Sequence, residues 1–120
     1  MIDQASLDAA VRRFSSGIPG IIDASVISHD GLVMTSTSKD IDLNDLLGAM
    51  SSEIIAKGKQ SVRELELGEL WGNALFGTSG AMLTRIINEE MLLLVRIRTE
   101  ASIARVFDEM NKVVSQLSLE

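Results

Sequence analysis

A long helical run between Asp42 and Glu66 constrains the fold of this chain more than any other stretch. Its apolar residues recur at intervals of three and four, the spacing of one face of an α-helix. The residues predicted to form this stripe are Leu43, Leu46, Leu47, Met50, Ile54 and Leu65. A helix of this length with one apolar stripe needs a broad surface to cover, and we expect it to pack across a β-sheet.

The opposite side of the same helix carries mostly small side chains, where an exposed helix usually carries long charged ones. These positions are Asp45, Gly48, Ala49, Ser52 and Ala56. Small side chains let a second backbone come close, which favours contact with another helix or another protein. The alternative is a solvent-facing helix that is simply rich in Ala and Ser, because helix surfaces tolerate small residues.

The composition is that of a folded chain with few options for chemistry. The 120 residues are 46% hydrophobic and 23% charged, which suits one globular domain, placed here over residues 1–120. The formal net charge is −6 and the Lys and Arg residues are scattered, so we expect no nucleic-acid partner. Cysteine is absent, which excludes disulfides, thiol catalysis and thiolate zinc sites.

No segment of the sequence predicts contact with a membrane interior. The start, MIDQASLD, lacks the basic and apolar regions of a signal peptide. The longest apolar run, Met91 to Val95, is far too short to span a bilayer. We therefore expect no membrane insertion and a cytoplasmic location.

Before the long helix, the pattern predicts one helix and a β-hairpin. The helix covers Ser6 to Phe14. Two short β-branched runs follow, Ile21 to Ser28 and Leu32 to Ser36, and His29-Asp30-Gly31 lies between them. An Asp-Gly pair in this position is a strong hairpin signal, because Gly accepts a positive φ and Asp bonds its own backbone.

After the long helix, the pattern predicts three strands and a final helix. The strands cover Glu69 to Phe76, Ala81 to Ile87 and Met91 to Arg98, and the helix covers Glu100 to Leu117. Gly and Asn inside the first of these strands indicate an edge strand or a close approach of another backbone, whereas the apolar start of the third indicates a central strand. The predicted fold is an α+β sandwich of order α-β-β-α-β-β-β-α. Its five-stranded antiparallel sheet lies between helical layers, with the long helix alone on one face.

No arrangement of residues in the sequence predicts catalysis or metal binding. The phosphate-binding pattern G-x-x-x-x-G-K-[ST] is missing, and Gly77 to Gly80 is interpreted as a hairpin turn. His29 is the only histidine and lacks partners, while Glu64, Glu66 and Glu69 are interpreted as a solvated surface. We therefore predict a binding module and no enzyme, with no cofactor and no metal.

The edge strand and the small-residue face of the long helix are two candidate surfaces for self-association. A two-fold dimer would satisfy both, because it would extend the sheet and set two long helices side by side. The residues predicted at the dimer edge are Leu70, Trp71, Gly72, Asn73, Ala74 and Leu75.

Five short motifs occur in an order and spacing that are specific together, although each motif alone is weak. They are Pro19-Gly20-Ile21, Ser28-His29-Asp30-Gly31-Leu32, Leu47-Gly48-Ala49-Met50, Leu67-Gly68-Glu69-Leu70 and Leu92-Leu93-Leu94-Val95. Over nearly its whole length the chain thereby resembles the Roadblock family, the group of dynein light chains and MglB-like proteins. The neighbouring longin pattern begins with the sheet and lacks the leading helix.

This resemblance implies a homodimer with a continuous sheet and paired central helices. It also implies a small Ras-like GTPase as partner, received on the platform that the paired helices form. Carried onto this chain, that platform comprises Asp45, Gly48, Ala49, Ser52 and Ala56. The expected function is that of a non-enzymatic regulator or scaffold, which could order the switch loops of the GTPase without donating a catalytic residue.

Two other functions stay open at this point. The first is a dimeric scaffold subunit of a cytoskeletal motor or signalling complex, without a GTPase partner. The second is a small-molecule sensor with a ligand between sheet and helix, which the expected Leu, Ile and Met filling disfavours.

Overall fold

Within residues 2–118, three helices and five strands follow one another in the predicted order. The computed structural model describes residues 2–118. Its elements are α1 (Gln4–Gly17), β1 (Ile21–Ser28), β2 (Val33–Ser36), α2 (Ile41–Glu64), β3 (Gly72–Gly77), β4 (Gly80–Ile86), β5 (Met91–Arg98) and α3 (Ile103–Ser118). The largest difference between a predicted and an observed strand boundary is at β3, which begins three residues later than the sequence indicated.

The five strands form one antiparallel sheet in the order β2-β1-β5-β4-β3. β5 lies at the centre, and its residues from Met91 to Val95 are all buried. β3 lies at one edge and β2 at the other. The predictions of a central β5 and an edge β3 are therefore confirmed.

Helices cover both faces of the sheet, as the fold prediction required. On one face α1 and α3 contribute Phe14, Val106 and Met110 to a core with Leu93 and Val95 of β5. On the other face α2 lies alone. Its core with the sheet contains Ile27, Leu47, Ile55, Leu92 and Leu94. Residues of β5 alternate between these two cores because successive side chains of a strand point to opposite faces.

The inner face of α2 is rotated away from the predicted stripe. Its buried positions are Leu47, Gly48, Ser51 and Ile55. Leu46 and Met50 are 54% and 37% exposed, and Leu65 is exposed beyond the end of the helix. The prediction was wrong for Leu46 and Met50 because the closest approach of α2 occurs at its small residues, and for Leu65 because the helix ends at Glu64. Gly48 and Ser51 determine which side of the helix faces inward.

Gly48 faces the turn between β1 and β2, which corrects its predicted place on the outward face of α2. A Cβ atom built on Gly48 would lie 2.1 Å from the carbonyl oxygen of Gly31. Gly31 itself has a φ of +98°, a conformation that suits glycine in a tight turn. The helix thus rests directly on the backbone of the hairpin turn, and no side chain fits between them.

Local contacts and backbone conformations define the two ends of α2. The Asp40 side chain accepts a hydrogen bond from the Leu43 main-chain N–H at 3.1 Å, which caps the first turn. The helix continues through Gly58 to Glu64, as predicted. It is followed by residues with positive φ, Glu66 and Gly68, which turn the chain toward β3.

We predict that Gly48→Ala lowers the free energy of unfolding by about 1–3 kcal/mol, because the new methyl group would overlap the Gly31 carbonyl. Gly17→Ala is the control, since a Cβ there meets nothing within 4 Å. We expect it to leave stability unchanged or to raise it slightly. Urea unfolding followed by circular dichroism measures both variants. Equal stability of the two would contradict the close approach of α2 to the hairpin turn.

Candidate functional site

Neither a metal site nor a membrane segment is found among the described residues. Within residues 2–118, no three His, Asp or Glu side chains are grouped so that they could hold a metal ion. In the same part of the chain, no helix has both the length and the apolarity that crossing a lipid bilayer requires. The features that distinguish this molecule lie instead on its surface, around α2 and β3.

An apolar groove opens between the first half of α2 and the end of the sheet near β3. It has a volume of about 440 Å³, and Leu46 and Met50 of α2 face Leu75 of β3 across it. A smaller cavity of about 240 Å³ continues along α2, from Ile54 to Gly58, beside Asn73 to Leu75. Leu46 and Met50 therefore line an open groove, because only the second half of α2 contacts β3, where Asn73 Nδ2 donates to the Ile54 carbonyl at 3.4 Å.

The outer edge of β3 presents free main-chain groups at alternate residues. The Trp71 carbonyl accepts from the Ile86 N–H at 2.9 Å, and the Asn73 N–H donates to Thr84 Oγ1 at 3.0 Å. Odd-numbered residues of this segment therefore direct their main-chain groups toward β4. In an antiparallel ladder the intervening residues point the other way, so those of Gly72, Ala74 and Phe76 face the open edge. No strand of the described chain pairs with them there.

The opposite edge of the sheet is protected. β2 has only four residues, and its register with β1 shifts at Met34. The Met34 carbonyl accepts from Gln4 Nε2 at 3.1 Å, and Thr35 Oγ1 donates to Asp8 Oδ1 at 2.6 Å. An irregular strand whose groups are engaged by a helix resists pairing with another chain. Of the two edges in the described sheet, only β3 is open.

The structure separates the residues predicted for the dimer edge into two groups. Gly72, Asn73, Ala74 and Leu75 belong to β3, as predicted. Leu70 and Trp71 precede the strand, which corrects the predicted boundary. Leu70 packs against the α2 core, and a Cβ on Gly58 would lie 3.1 Å from it.

Trp71 is held by contacts with the other face of the molecule. Its ring lies 4.1 Å below the guanidinium of Arg85 and 5.9 Å from the ring of Phe107 in α3. Burial lowers the pKa of the Arg85 guanidinium. These contacts with Arg85 and Phe107 place Trp71 outside the regular strand. Both residues are distant from Trp71 in the sequence.

Sequence reasoning missed Leu46, Met50 and Phe76 as surface residues. Phe76 is 61% exposed at the end of β3, although the strand itself was predicted. A signal was present for the other two. The apolar positions of α2 from Leu46 to Ile55 span about half of the helix circumference, wider than the roughly 100° that one buried face needs.

Three of the five predicted platform residues form an exposed row on the outer face of α2. Asp45, Ala49 and Ala56 are exposed, and Ser52 is half-buried beside the Gly31 turn. Gly48 lies beneath this row, against the hairpin. Because the side chains of this row are short, a binding partner could come close to the helix backbone.

Charges along the exposed part of α2 are unevenly distributed. The acidic residues Asp42, Asp45 and Glu53 lie in the first half or at the centre, and the basic residues Lys57, Lys59 and Arg63 follow before Glu64. Within residues 2–118, no ion pair engages any of these side chains. The helix therefore has an acidic first half and a predominantly basic second half.

A buried ion pair lies at the end of the groove. Arg96 Nε donates to Asp23 Oδ1 at 3.0 Å, and the Asp23 side chain is only 5% exposed. The hydrogen bonds to Asp23 raise the pKa of the Arg96 guanidinium. The pair joins β1 to β5 where the register of the two strands is irregular. Its role is therefore structural, and it offers no reactive group.

His29 is engaged through both ring nitrogens. Lys59 Nζ lies 3.0 Å from Nδ1, and because lysine only donates, Nδ1 must accept. Nε2 then carries the proton and donates to the Met91 carbonyl at 3.2 Å. His29 therefore links the β1–β2 turn to α2 and to the start of β5, two contacts that the sequence did not indicate.

The sequence matches the family model for the Roadblock/LC7 domain over residues 7–96. The chain therefore belongs to the Roadblock/LC7 domain family, and the resemblance drawn from its short motifs is confirmed. No curated protein matches the chain.

Several solved structures share the fold of the chain. A Roadblock/LC7 domain from Streptomyces avermitilis has a TM-score of 0.86 at 22% identity, with 92% of each chain covered. MglB of Myxococcus xanthus has a TM-score of 0.87 at 13% identity, covering 99% of this chain and 91% of that one. A structure of MglB with a tetrameric arrangement has a TM-score of 0.84 at 13% identity, covering 99% of this chain and 92% of that one. These similarities confirm the predicted fold.

We predict that Asp23→Ala lowers the free energy of unfolding by about 3 kcal/mol, because it leaves the Arg96 guanidinium partly buried without its partner. Asp45→Ala is the control, since Asp45 is exposed and has no ion-pair partner among the described residues. Its effect should stay within about 0.5 kcal/mol. Urea unfolding gives both values, and a loss in Asp23→Ala no larger than the control would show that the pair contributes nothing.

Proposed function

We propose that this chain is a non-enzymatic, homodimeric regulator or scaffold that binds a small Ras-like GTPase in the cytoplasm. The observation that carries the proposal is the open sheet edge at β3, the only unprotected edge within residues 2–118, which the apolar groove flanks. A second copy of the chain is the occupant that this surface fits.

Two-fold pairing through β3 accounts for the asymmetry between the sheet edges. In an isologous dimer, β3 of each copy pairs antiparallel with β3 of the other, so both open edges are used at once. The protected β2 edges then leave no strand for further addition. The sheet becomes continuous across two copies and growth stops there.

The same two-fold axis brings the two α2 helices together on one face of the continuous sheet. They run antiparallel, and each covers part of the groove that contains Leu46, Met50 and Leu75 in the other copy. The acidic first half of each helix then lies beside the predominantly basic second half of the other. Such complementarity favours this arrangement over a parallel one.

The outer surface of the helix pair is the proposed platform for the GTPase. It comprises Asp45, Ala49, Ser52 and Ala56 of both copies. Gly48 lies on the inner side of the helix and allows its close approach to the hairpin turn. Short side chains suit a partner that brings its own bulky groups. The Ras-like partner is supported by the resemblance to MglB-like proteins, and the platform acts by ordering the switch loops of that GTPase.

We predict that the wild-type chain has the mass of a dimer by light scattering, and that Ala74→Pro is monomeric. Proline removes a main-chain N–H that only a second copy would use, and its ring obstructs the edge. Ala74→Ser retains the N–H and should remain dimeric. Circular dichroism confirms that the variants are folded. A monomeric wild type at concentrations of tens of micromolar would overturn the proposed dimer.

We predict that Ala49→Arg weakens binding of a purified Ras-like GTPase at least about tenfold, which corresponds to about 1.4 kcal/mol. The guanidinium would occupy the low platform surface and lose its hydration there. Ala9→Arg is the matched control, since Ala9 is exposed on α1, across the sheet from α2. Calorimetry with the GTPase loaded with GDP or a non-hydrolysable GTP analogue measures binding.

Unchanged affinity in a folded, dimeric Ala49→Arg would exclude this platform. If the dimer binds no Ras-like GTPase from the same organism in either nucleotide state, the chain is better assigned as a dimeric scaffold of a motor or signalling complex. Single-turnover GTP hydrolysis with and without the dimer separates an activator from a passive scaffold.

A further inference from the structure

We infer that the intersubunit sheet has one specific register, in which Ala74 lies on the two-fold axis and Gly72 lies opposite the partner subunit's Phe76. This inference rests on the proposed homodimer. It goes further by assigning the residue pairs at the interface.

The direction of the main-chain groups limits the possible registers. Only Gly72, Ala74 and Phe76 direct their N–H and C=O groups to the open edge, because the odd-numbered residues are engaged with β4. Hydrogen-bonded pairs of an antiparallel ladder form between residues that face each other. Even-numbered residues must therefore pair with even-numbered residues of the second copy.

Among these registers, one uses every free group. With Ala74 opposite the partner's Ala74, Gly72 faces the partner's Phe76 at each end, and the three pairs exchange about six main-chain hydrogen bonds. Slipping the strands by one step in either direction leaves only two such pairs and about four bonds. In one slip Gly72 faces the partner's Thr78 in the hairpin turn. In the other, Phe76 faces the partner's Leu70, which precedes the strand.

Side chains on the α3 face of the sheet favour the same register. Ala74 is in register with Leu83, a residue of the core beneath α1 and α3, so Gly72 and Phe76 lie on that face as well. Gly72 has no room for a side chain, because a Cβ would lie 2.3 Å from the Thr84 carbonyl oxygen. The exposed Phe76 ring of one copy can cover this bare backbone in the other. A cross-strand aromatic is a known means of stabilising a glycine in a sheet.

Trp71 adds to this contact. Its ring lies on the α3 face, against Phe107, and remains partly exposed next to Gly72. The inferred register brings the partner's Phe76 beside it at both ends of the interface. Two aromatic pairs, related by the two-fold axis, then flank the small residue Ala74 at the centre.

Disulfide crosslinking tests the register without interference, because the chain contains no cysteine. In the inferred register, residue 73 lies opposite residue 75 of the second copy as a non-hydrogen-bonded pair, with Cα atoms about 4.5 Å apart. That distance permits a disulfide. The two residues at position 75 lie about 8 Å apart by strand geometry, which is too far for a disulfide.

We predict that a mixture of Asn73→Cys and Leu75→Cys, oxidised by copper phenanthroline, gives mainly a covalent heterodimer on a non-reducing gel. Each variant alone should crosslink little, and Ala74→Cys should crosslink with itself, since its Cα–Cα distance is about 5.5 Å. Rapid self-crosslinking of Leu75→Cys or of Asn73→Cys would show a slipped register and overturn the inference. Circular dichroism checks the fold of each variant.

Light scattering on the reduced proteins separates the two proposals. A monomeric wild type would remove the proposed dimer, whatever the gels show. A dimeric wild type with no crosslink in any variant would leave dimerisation intact and exclude the β3 register. A dimer with the predicted crosslinking pattern supports both.

Discussion

The contact between the backbones of Gly31 and Gly48 determines how α2 lies on the sheet. The two glycines approach so closely that a Cβ on Gly48 would overlap the Gly31 carbonyl oxygen. This contact brings one side of α2 down onto the hairpin turn and buries Leu47 and Ile55. Because the helix is rigid, the same rotation turns Leu46 and Met50 toward β3. The groove beside β3 is thus a consequence of a contact on the opposite side of the helix.

The two edges of the sheet differ in a way that bears on assembly. The β2 edge is short and irregular, and the Gln4 side chain of α1 donates a hydrogen bond to its Met34 carbonyl group. The β3 edge is regular over six residues and lies beside an apolar groove. A sheet with two open edges would promote unlimited association, whereas one open edge favours a closed pair. The protection of β2 therefore matters as much to the proposed dimer as the exposure of β3.

Asp23 and His29, two polar side chains that could have served in chemistry, are engaged in structural contacts. Asp23 pairs with Arg96 at one end of the sheet, and His29 joins a turn, α2 and β5 at the other. These contacts hold β1 near both of its ends. The outer face of α2 and the edge of β3 are where main-chain polar groups and apolar side chains remain exposed, and the proposed binding surfaces lie there.

The sequence by itself determined the order and type of the elements, the central position of β5 and the edge position of β3. Those features follow from local signals: apolar periodicity, the Asp30-Gly31 turn, the Asp40 cap, and a run of apolar residues long enough for a doubly buried strand. It also indicated an outward row of small residues on α2, of which Asp45, Ala49 and Ala56 are exposed in the structure.

Only the tertiary structure decided the rotation of α2, the burial of Gly48, and the positions of Leu70 and Trp71 outside β3. Each depends on residues far away in sequence: Gly31 for the helix, Gly58 for Leu70, and Arg85 and Phe107 for Trp71. A periodic pattern states which residues are apolar, but an apolar arc wider than one buried face leaves open which part of it turns inward. Close contacts between small residues decide that question, and no pattern within a single element contains them.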